Sequence, residues 1–187
     1  MPAVNSNMIE LGTKAPDFIL PNVISGSLAS IDSLRGDKAT LIIFICNHCP
    51  YVVHCIDRIV ELATEYSTKG VSTIAINSND VVKYPDDSPE NMKLFAEKYQ
   101  FSFPYLFDSS QQIAKDYQAA CTPDFFLYGQ NLSLIYRGQF DTSRPSNNNP
   151  VTGKDLKEAI ENVVQDLPPV LNQIPSIGCS IKWKQGL

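Results

Sequence analysis

Residues 39–50, Ala39-Thr-Leu-Ile-Ile-Phe-Ile-Cys46-Asn-His-Cys49-Pro50, decide how this chain is read. The run from Ala39 to Ile45 is almost continuously apolar and β-branched, with Gly36 before it and Asn47 after it. That pattern predicts a strand buried on both faces. From Pro50 to Lys69, the apolar residues Val52, Ile56, Ile59, Val60 and Ala63 recur at helical spacing, and Gly70 supplies a stop. The stretch is therefore a buried strand, a corner carrying two cysteines, and a helix.

Working outward, Val71 to Asn77 predicts a second strand, parallel to the first because a helix joins them. Ser88-Pro89-Glu90 opens a helix that extends to Tyr99, with serine at the N-cap and proline at the first helical position. A short helix is predicted over Ser109 to Gln118. Phe125–Tyr128 and Leu132–Arg137 are predicted strands around Gly-Gln-Asn, a hairpin signal. A last helix covers Thr152 to Asp166 and ends at Pro168-Pro169. On the N-terminal side lie a short apolar stretch, Asp17 to Pro21, and the stop Leu34-Arg35-Gly36. This order predicts one α/β domain over residues 1–187, with a central mixed sheet flanked by helices and an extended C-terminal tail over 168–187. Ligands in such sheets favour the carboxyl end of a central strand, where residues 46–49 fall.

Composition narrows the function classes. The chain has 187 residues, 43% hydrophobic and 19% charged, enough for a core that needs no covalent staples. Its net charge is −5 and its 15 basic residues are scattered, the opposite of a nucleic-acid surface. No apolar run approaches the roughly 20 residues that cross a bilayer. The start of the chain lacks the basic and apolar regions of a signal peptide, so the expected setting is cytoplasmic, without membrane or nucleic-acid partners. Of the five cysteines, Cys46, Cys49 and Cys55 cluster within ten residues. Clustering of that kind signals reactivity or metal binding rather than a disulfide framework.

Cys49 precedes Pro50 and is therefore placed at the helix N-cap. There its sulfur meets the free N–H groups of the first turn and the positive end of the helix dipole, and both favour the nucleophilic thiolate. His48 adds positive charge when protonated. A second signal is Cys121-Thr122-Pro123-Asp124, since a Thr-Pro pair before an apolar strand invites a cis peptide. Asp86-Asp87 and Asn147–Asn149 read as solvated loops, and the aromatic residues Phe101, Phe103, Tyr105, Phe125 and Phe126 as core.

With these residues in view, the chain resembles a known group. Gly12-Thr-Lys-Ala-Pro-Asp-Phe18, Leu34-Arg-Gly36 and the strand at 39–45 are similar to the opening of the alkyl hydroperoxide reductase/thiol-specific antioxidant (peroxiredoxin) family. The Phe44-to-Cys49 spacing and the Thr122-Pro123 loop also look like thioredoxin-type oxidoreductases. Cys-Asn-His-Cys-Pro-Tyr-Val, with a late Gly178-Cys-Ser-Ile-Lys-Trp183, resembles the peroxiredoxin-like subgroup of the thioredoxin superfamily. The resemblance runs from about Leu11 to Trp183 and implies a thioredoxin fold with an N-terminal extension.

Carried over by position, the resemblance makes Cys49 the redox nucleophile and Pro123 the cis-proline beside it, with His48 and Pro50 in support. Four positions depart from the pattern. Val52 stands where thioredoxin has its second cysteine, and Ile43 replaces its buried aspartate. Cys46 stands where peroxiredoxins place a threonine that reaches the sulfur, and Thr122 stands where they place a stabilising arginine. The resemblance thus implies Cys46 as the resolving thiol, with Cys121 second. Cys55 is expected in the core, and Cys179 could reach the site only if the tail folds back over it. Without that arginine, unless Arg137 or Arg144 substitutes, thiol–disulfide exchange or slow peroxide reduction is expected over fast peroxidase chemistry. The implied substrates are a protein disulfide or a small peroxide, and the implied reductant is an external thiol of the thioredoxin or glutathione type. No bound cofactor or metal is required. The rival readings are a metal site built from Cys46, His48, Cys49, His54 and Cys55, and a redox sensor that does not turn over.

Overall fold

The computed structural model describes residues 3–185. In chain order the elements are β1 (Ala3–Asn5), β2 (Ile19–Pro21), β3 (Leu28–Ser30), α1 (Ile31–Leu34), β4 (Ala39–Phe44), α2 (Pro50–Ser67) and β5 (Val71–Asn77). A single 3-10 turn, Pro85–Asp87, leads into α3 (Pro89–Lys98), β6 (Tyr105–Phe107), α4 (Gln112–Asp116) and β7 (Cys121–Thr122). The chain closes with β8 (Asp124–Gly129), β9 (Leu134–Gly138), α5 (Lys154–Val164) and β10 (Ile177–Ser180).

The main sheet has strand order β6-β5-β4-β8-β9. β4 pairs in parallel with β5 and antiparallel with β8, and β8 forms the expected hairpin with β9. β4 is central, so every one of its six residues is buried, which is why it reads as a continuous apolar run. Its side chains alternate between two cores. Leu41 and Ile43 face a cluster completed by Ile56 and Ile59 of α2, Leu156 of α5, and Phe125 and Leu127 of β8. Ile42 and Phe44 face Ile31, Ala114, Tyr117, Phe126 and Tyr128 on the other side. The mixed sheet with helices on both faces agrees with the fold class read from the sequence.

Helix α2 buries Val52, Cys55, Ile56, Ile59, Leu62, Ala63 and Tyr66 against the sheet, each large apolar side chain contributing about 1.5–3 kcal/mol. It ends before Gly70, whose φ of +83° only glycine adopts freely. The two later helices are shorter than their sequence pattern. α4 holds only Gln112–Asp116, because Gln111 is left-handed with φ 63°, and α5 begins after Gly153, also left-handed with φ 67°. Among the described residues, no helix is long and apolar enough to cross a membrane.

The C-terminal tail, expected as an extended segment over 168–187, contains a paired strand. Residues 177–180 form the middle strand of a second sheet, ordered β1-β10-β7. Ahead of that strand, Gln173 accepts from the Arg137 N–H at 2.6 Å and donates to the Ile135 carbonyl at 3.1 Å, which fastens the tail to β9.

Candidate redox site

The site forms where β4 ends, α2 begins and the Thr122–Pro123 loop passes between β7 and β8. Cys49 is the N-cap of α2, with Pro50 at the first helical position. The Thr122–Pro123 peptide is cis, as the sequence suggested. Cys49 Sγ lies 3.1 Å from the Thr122 carbonyl oxygen, and Cys46 Sγ lies 3.4 Å from the Thr122 hydroxyl.

These contacts oppose one another, and the balance decides the protonation of Cys49. The Thr122 carbonyl only accepts, so it favours the thiol, and burial does likewise. Against them, a hydrogen bond from Cys46 has the largest effect, helped by the Thr122 hydroxyl, the Cys179 thiol and the Val52 N–H. Together they hold Cys49 at about 5, well below its ordinary value of 9.0. Cys49 closes no side-chain cap hydrogen bond on the helix, although the Val52 N–H favours its thiolate. The helix N-terminus thus contributes, but neighbouring thiols and a hydroxyl contribute more than sequence reasoning assigned to them. Cys46 pays the counterpart, pushed well above the ordinary thiol range by its bond to Cys49, by burial and by Asp87.

His48 stacks on Tyr84, with ring centroids 5.5 Å apart and planes at 4°. Its Nδ1 lies 2.9 Å from Asp87 Oδ2, an ion-pair distance outside hydrogen-bond alignment. Asp87 holds the imidazole above its ordinary 6.5. The reading of Asp87 as part of a solvated loop is corrected here. Asp87 is fully buried, and its carboxylate accepts from the Asn47 N–H at 2.7 Å and from the Asn79 amide at 2.7 Å. A buried carboxylate needs such donors. The one available signal was its position just before the N-cap Ser88. Asn147–Asn149 are exposed, as expected.

The remaining candidates separate. Cys55 donates to the Tyr51 carbonyl at 3.2 Å inside α2, and burial pushes its thiol up. Cys121, the second resolving candidate, points to the Pro123 carbonyl at 3.6 Å instead of to Cys49, and burial raises it too. Cys179 is brought to the site: the tail does fold back, and β10 places Cys179 opposite Thr122, whose carbonyl oxygen meets the Cys49 sulfur. All five cysteines are free thiols, and all are buried.

Neither arginine offered as a substitute is free to serve. Arg137 is fully buried, grips Asp124 through its two terminal guanidinium nitrogens, and lies 3.8 Å above the Phe126 ring. Arg144 donates to the Asp141 and Ser143 carbonyls and to Gln139. Of the five suggested metal ligands, His54 bonds Ser143 at 2.7 Å, and Cys55 faces its own helix. Cys46 and His48 do lie with Asp87 inside 4.8 Å, but the Asp87 oxygens already serve Asn47, Asn79 and His48.

Comparisons with known proteins bear on the family and the fold of this chain. The AhpC/TSA family model matches residues 11–139. A thiol-disulfide oxidoreductase ResA from Geobacillus kaustophilus is 26% identical over 161 residues, covering 86% of this chain and 80% of that protein. Among solved structures, an uncharacterized conserved protein from Geobacillus kaustophilus superposes with a TM-score of 0.98 at 52% identity, covering 100% of this chain and 99% of that one. Peroxidoxin BcpB from Mycobacterium tuberculosis, with a TM-score of 0.63 at 16% identity over 85% of this chain and 98% of its own, shares the fold.

Proposed function

This chain belongs to the AhpC/TSA family, and on that premise we propose that it is a thiol–disulfide oxidoreductase whose nucleophile is Cys49. The observation that carries the reading is the place of the Cys49 sulfur, at the N-cap of α2 and 3.1 Å from the Thr122 carbonyl of the Thr122–Pro123 loop, where its thiol is held at about 5. Thiolate character is what exchange requires. The names of its curated relatives, thiol-disulfide oxidoreductases, support the same chemistry.

In this reading the Cys49 thiolate attacks a substrate disulfide, releases one substrate thiolate and stays joined to the other half. A neighbouring protein thiol displaces that half and closes an intramolecular disulfide. Cys46, the resolving thiol implied by the resemblance, lies against the Thr122 hydroxyl, and Cys179 stands opposite the same residue. An external thiol of the thioredoxin or glutathione type returns the pair to thiols. Peroxide reduction is slow by comparison, because the departing oxygen needs charge stabilisation and both candidate arginines are bonded elsewhere.

Non-reducing peptide mass spectrometry after a stoichiometric pulse of oxidised glutathione, on wild type and Cys49→Ser, tests the reading. An adduct or disulfide at Cys49 in wild type, abolished in Cys49→Ser and reversed by a dithiol, supports it. Modification of other cysteines with Cys49 left as a free thiol overturns it. Repeated turnover with a reductant separates an enzyme from a sensor, and metal content set against thiol titration separates both from a metal site.

A further inference from the structure

The last strand carries a second thiol into the site. β10 runs antiparallel to β7, with Cys179 opposite Thr122 and Ser180 opposite Cys121. A Cβ on Gly178 would stand 2.1 Å from the Thr122 carbonyl oxygen. Only glycine therefore lets β10 press this closely on the Thr122–Pro123 loop. Cys49 is fully buried beneath this arrangement, and Cys179 is nearly so.

Two thiols thus pack with Cys49 in one buried cluster, Cys46 against the Thr122 hydroxyl and Cys179 opposite Thr122 on β10, and their surroundings differ. Cys46 lies just past the end of the central strand and within 4.8 Å of the Asp87 carboxylate. Cys179 sits on a short outer ladder, where burial and the neighbouring Cys49 push its thiol up to about 12 and the Lys182 ammonium opposes that rise. Exchange needs the attacking sulfur as a thiolate. Both thiols are raised, and the carboxylate beside Cys46 against the ammonium acting on Cys179 makes Cys179 the easier of the two to ionise as it attacks.

We propose that Cys179 is a catalytic thiol of this site: it attacks the Cys49–substrate mixed disulfide and forms a Cys49–Cys179 disulfide, which ties β10 to the start of α2. Cys46 keeps its proton and serves as a hydrogen-bond donor to Cys49. The inference rests on Cys49 being the nucleophile. In the first step the Cys49 thiolate breaks the substrate S–S bond and releases one substrate thiolate, which takes a proton from water. In the second, Cys179 sulfur displaces the remaining substrate sulfur from Cys49, and the Cys179 proton passes to that leaving thiolate. Two protein thiols are oxidised to a disulfide, and one substrate disulfide is reduced to two thiols.

The test maps disulfides over time after an equivalent of oxidised glutathione is added to reduced wild type, Cys179→Ser and Cys46→Ser. A Cys49–Cys179 cross-link is expected in wild type and in Cys46→Ser. In Cys179→Ser, glutathionylated Cys49 should accumulate and decay at least about tenfold more slowly. A Cys46–Cys49 cross-link in wild type, with undiminished decay of the adduct in Cys179→Ser, overturns the inference and leaves Cys49 as nucleophile. Failure of Cys49 to react in all of these proteins overturns the nucleophile reading, and this inference with it. The wild-type map requires no variant to fold, so it decides the matter if Cys179→Ser is unstable.

Discussion

Cys49 Sγ lies 3.1 Å from the carbonyl oxygen of Thr122, on the loop whose next peptide bond is cis. An acceptor that close would keep an isolated thiol protonated. The thiol is nonetheless held at about 5, because hydrogen bonding from Cys46, the Thr122 hydroxyl, Cys179 and the Val52 N–H favours its charged form. Several donors outweigh one acceptor and the cost of burial.

Cys49 should titrate near 5. The ultraviolet absorbance of its thiolate, taken as the difference between wild type and Cys49→Ser, checks this. The folded value lies below the ordinary 9.0, so ionisation stabilises the fold fully above about pH 9. That contribution is lost as pH falls through the folded value. Wild-type stability toward urea should therefore rise from pH 5 to 9 relative to Cys49→Ser, and a parallel pH dependence in the two proteins would contradict the assignment.

Replacing Thr122 with valine keeps the shape and removes the hydroxyl. A hydrogen bond to a charged group is worth about 1.5–3 kcal/mol, so the Cys49 midpoint should rise by about one to two pH units. Exchange at pH 6 should slow accordingly. An unchanged midpoint would mean that the hydroxyl serves Cys46 alone.

Asp87→Asn removes the charge beside His48. The imidazole should fall from its raised value toward 6.5, read by proton NMR of its ring signals. Because the folded value is raised, the stabilisation is fully present below about 6.5 and disappears as pH climbs through the folded value. The variant should lose this acid-side stabilisation, and a His48 that titrates as before would rule out the Asp87 pairing.

Arg137→Met should cost about 3–5 kcal/mol in urea unfolding, since it strands Asp124 as an uncompensated buried charge. The folded fraction should show the wild-type Cys49 midpoint. A native-like stability with a raised midpoint would instead place Arg137 in the site as the missing arginine.

The sequence by itself determined the central strand, the helix after it and the place of Cys49 between them. Those features are local. β4 is buried on both faces and so must be apolar at every position, while α2 shows one apolar face and a proline at its start. The Thr122–Pro123 signal is local too, since only an X-Pro bond makes the cis form accessible. Tertiary structure decided what surrounds the sulfur. Asp87 looks like any loop aspartate until the fold brings the Asn47 N–H, Asn79 and His48 to it. Cys179 reaches the site only because β10 pairs with β7 across more than fifty residues of chain. That pairing is made by backbone groups, which every sequence carries, so Gly178 was its single visible trace. Partners chosen by backbone pairing and by buried charge leave no periodic pattern, and only the folded chain reveals them.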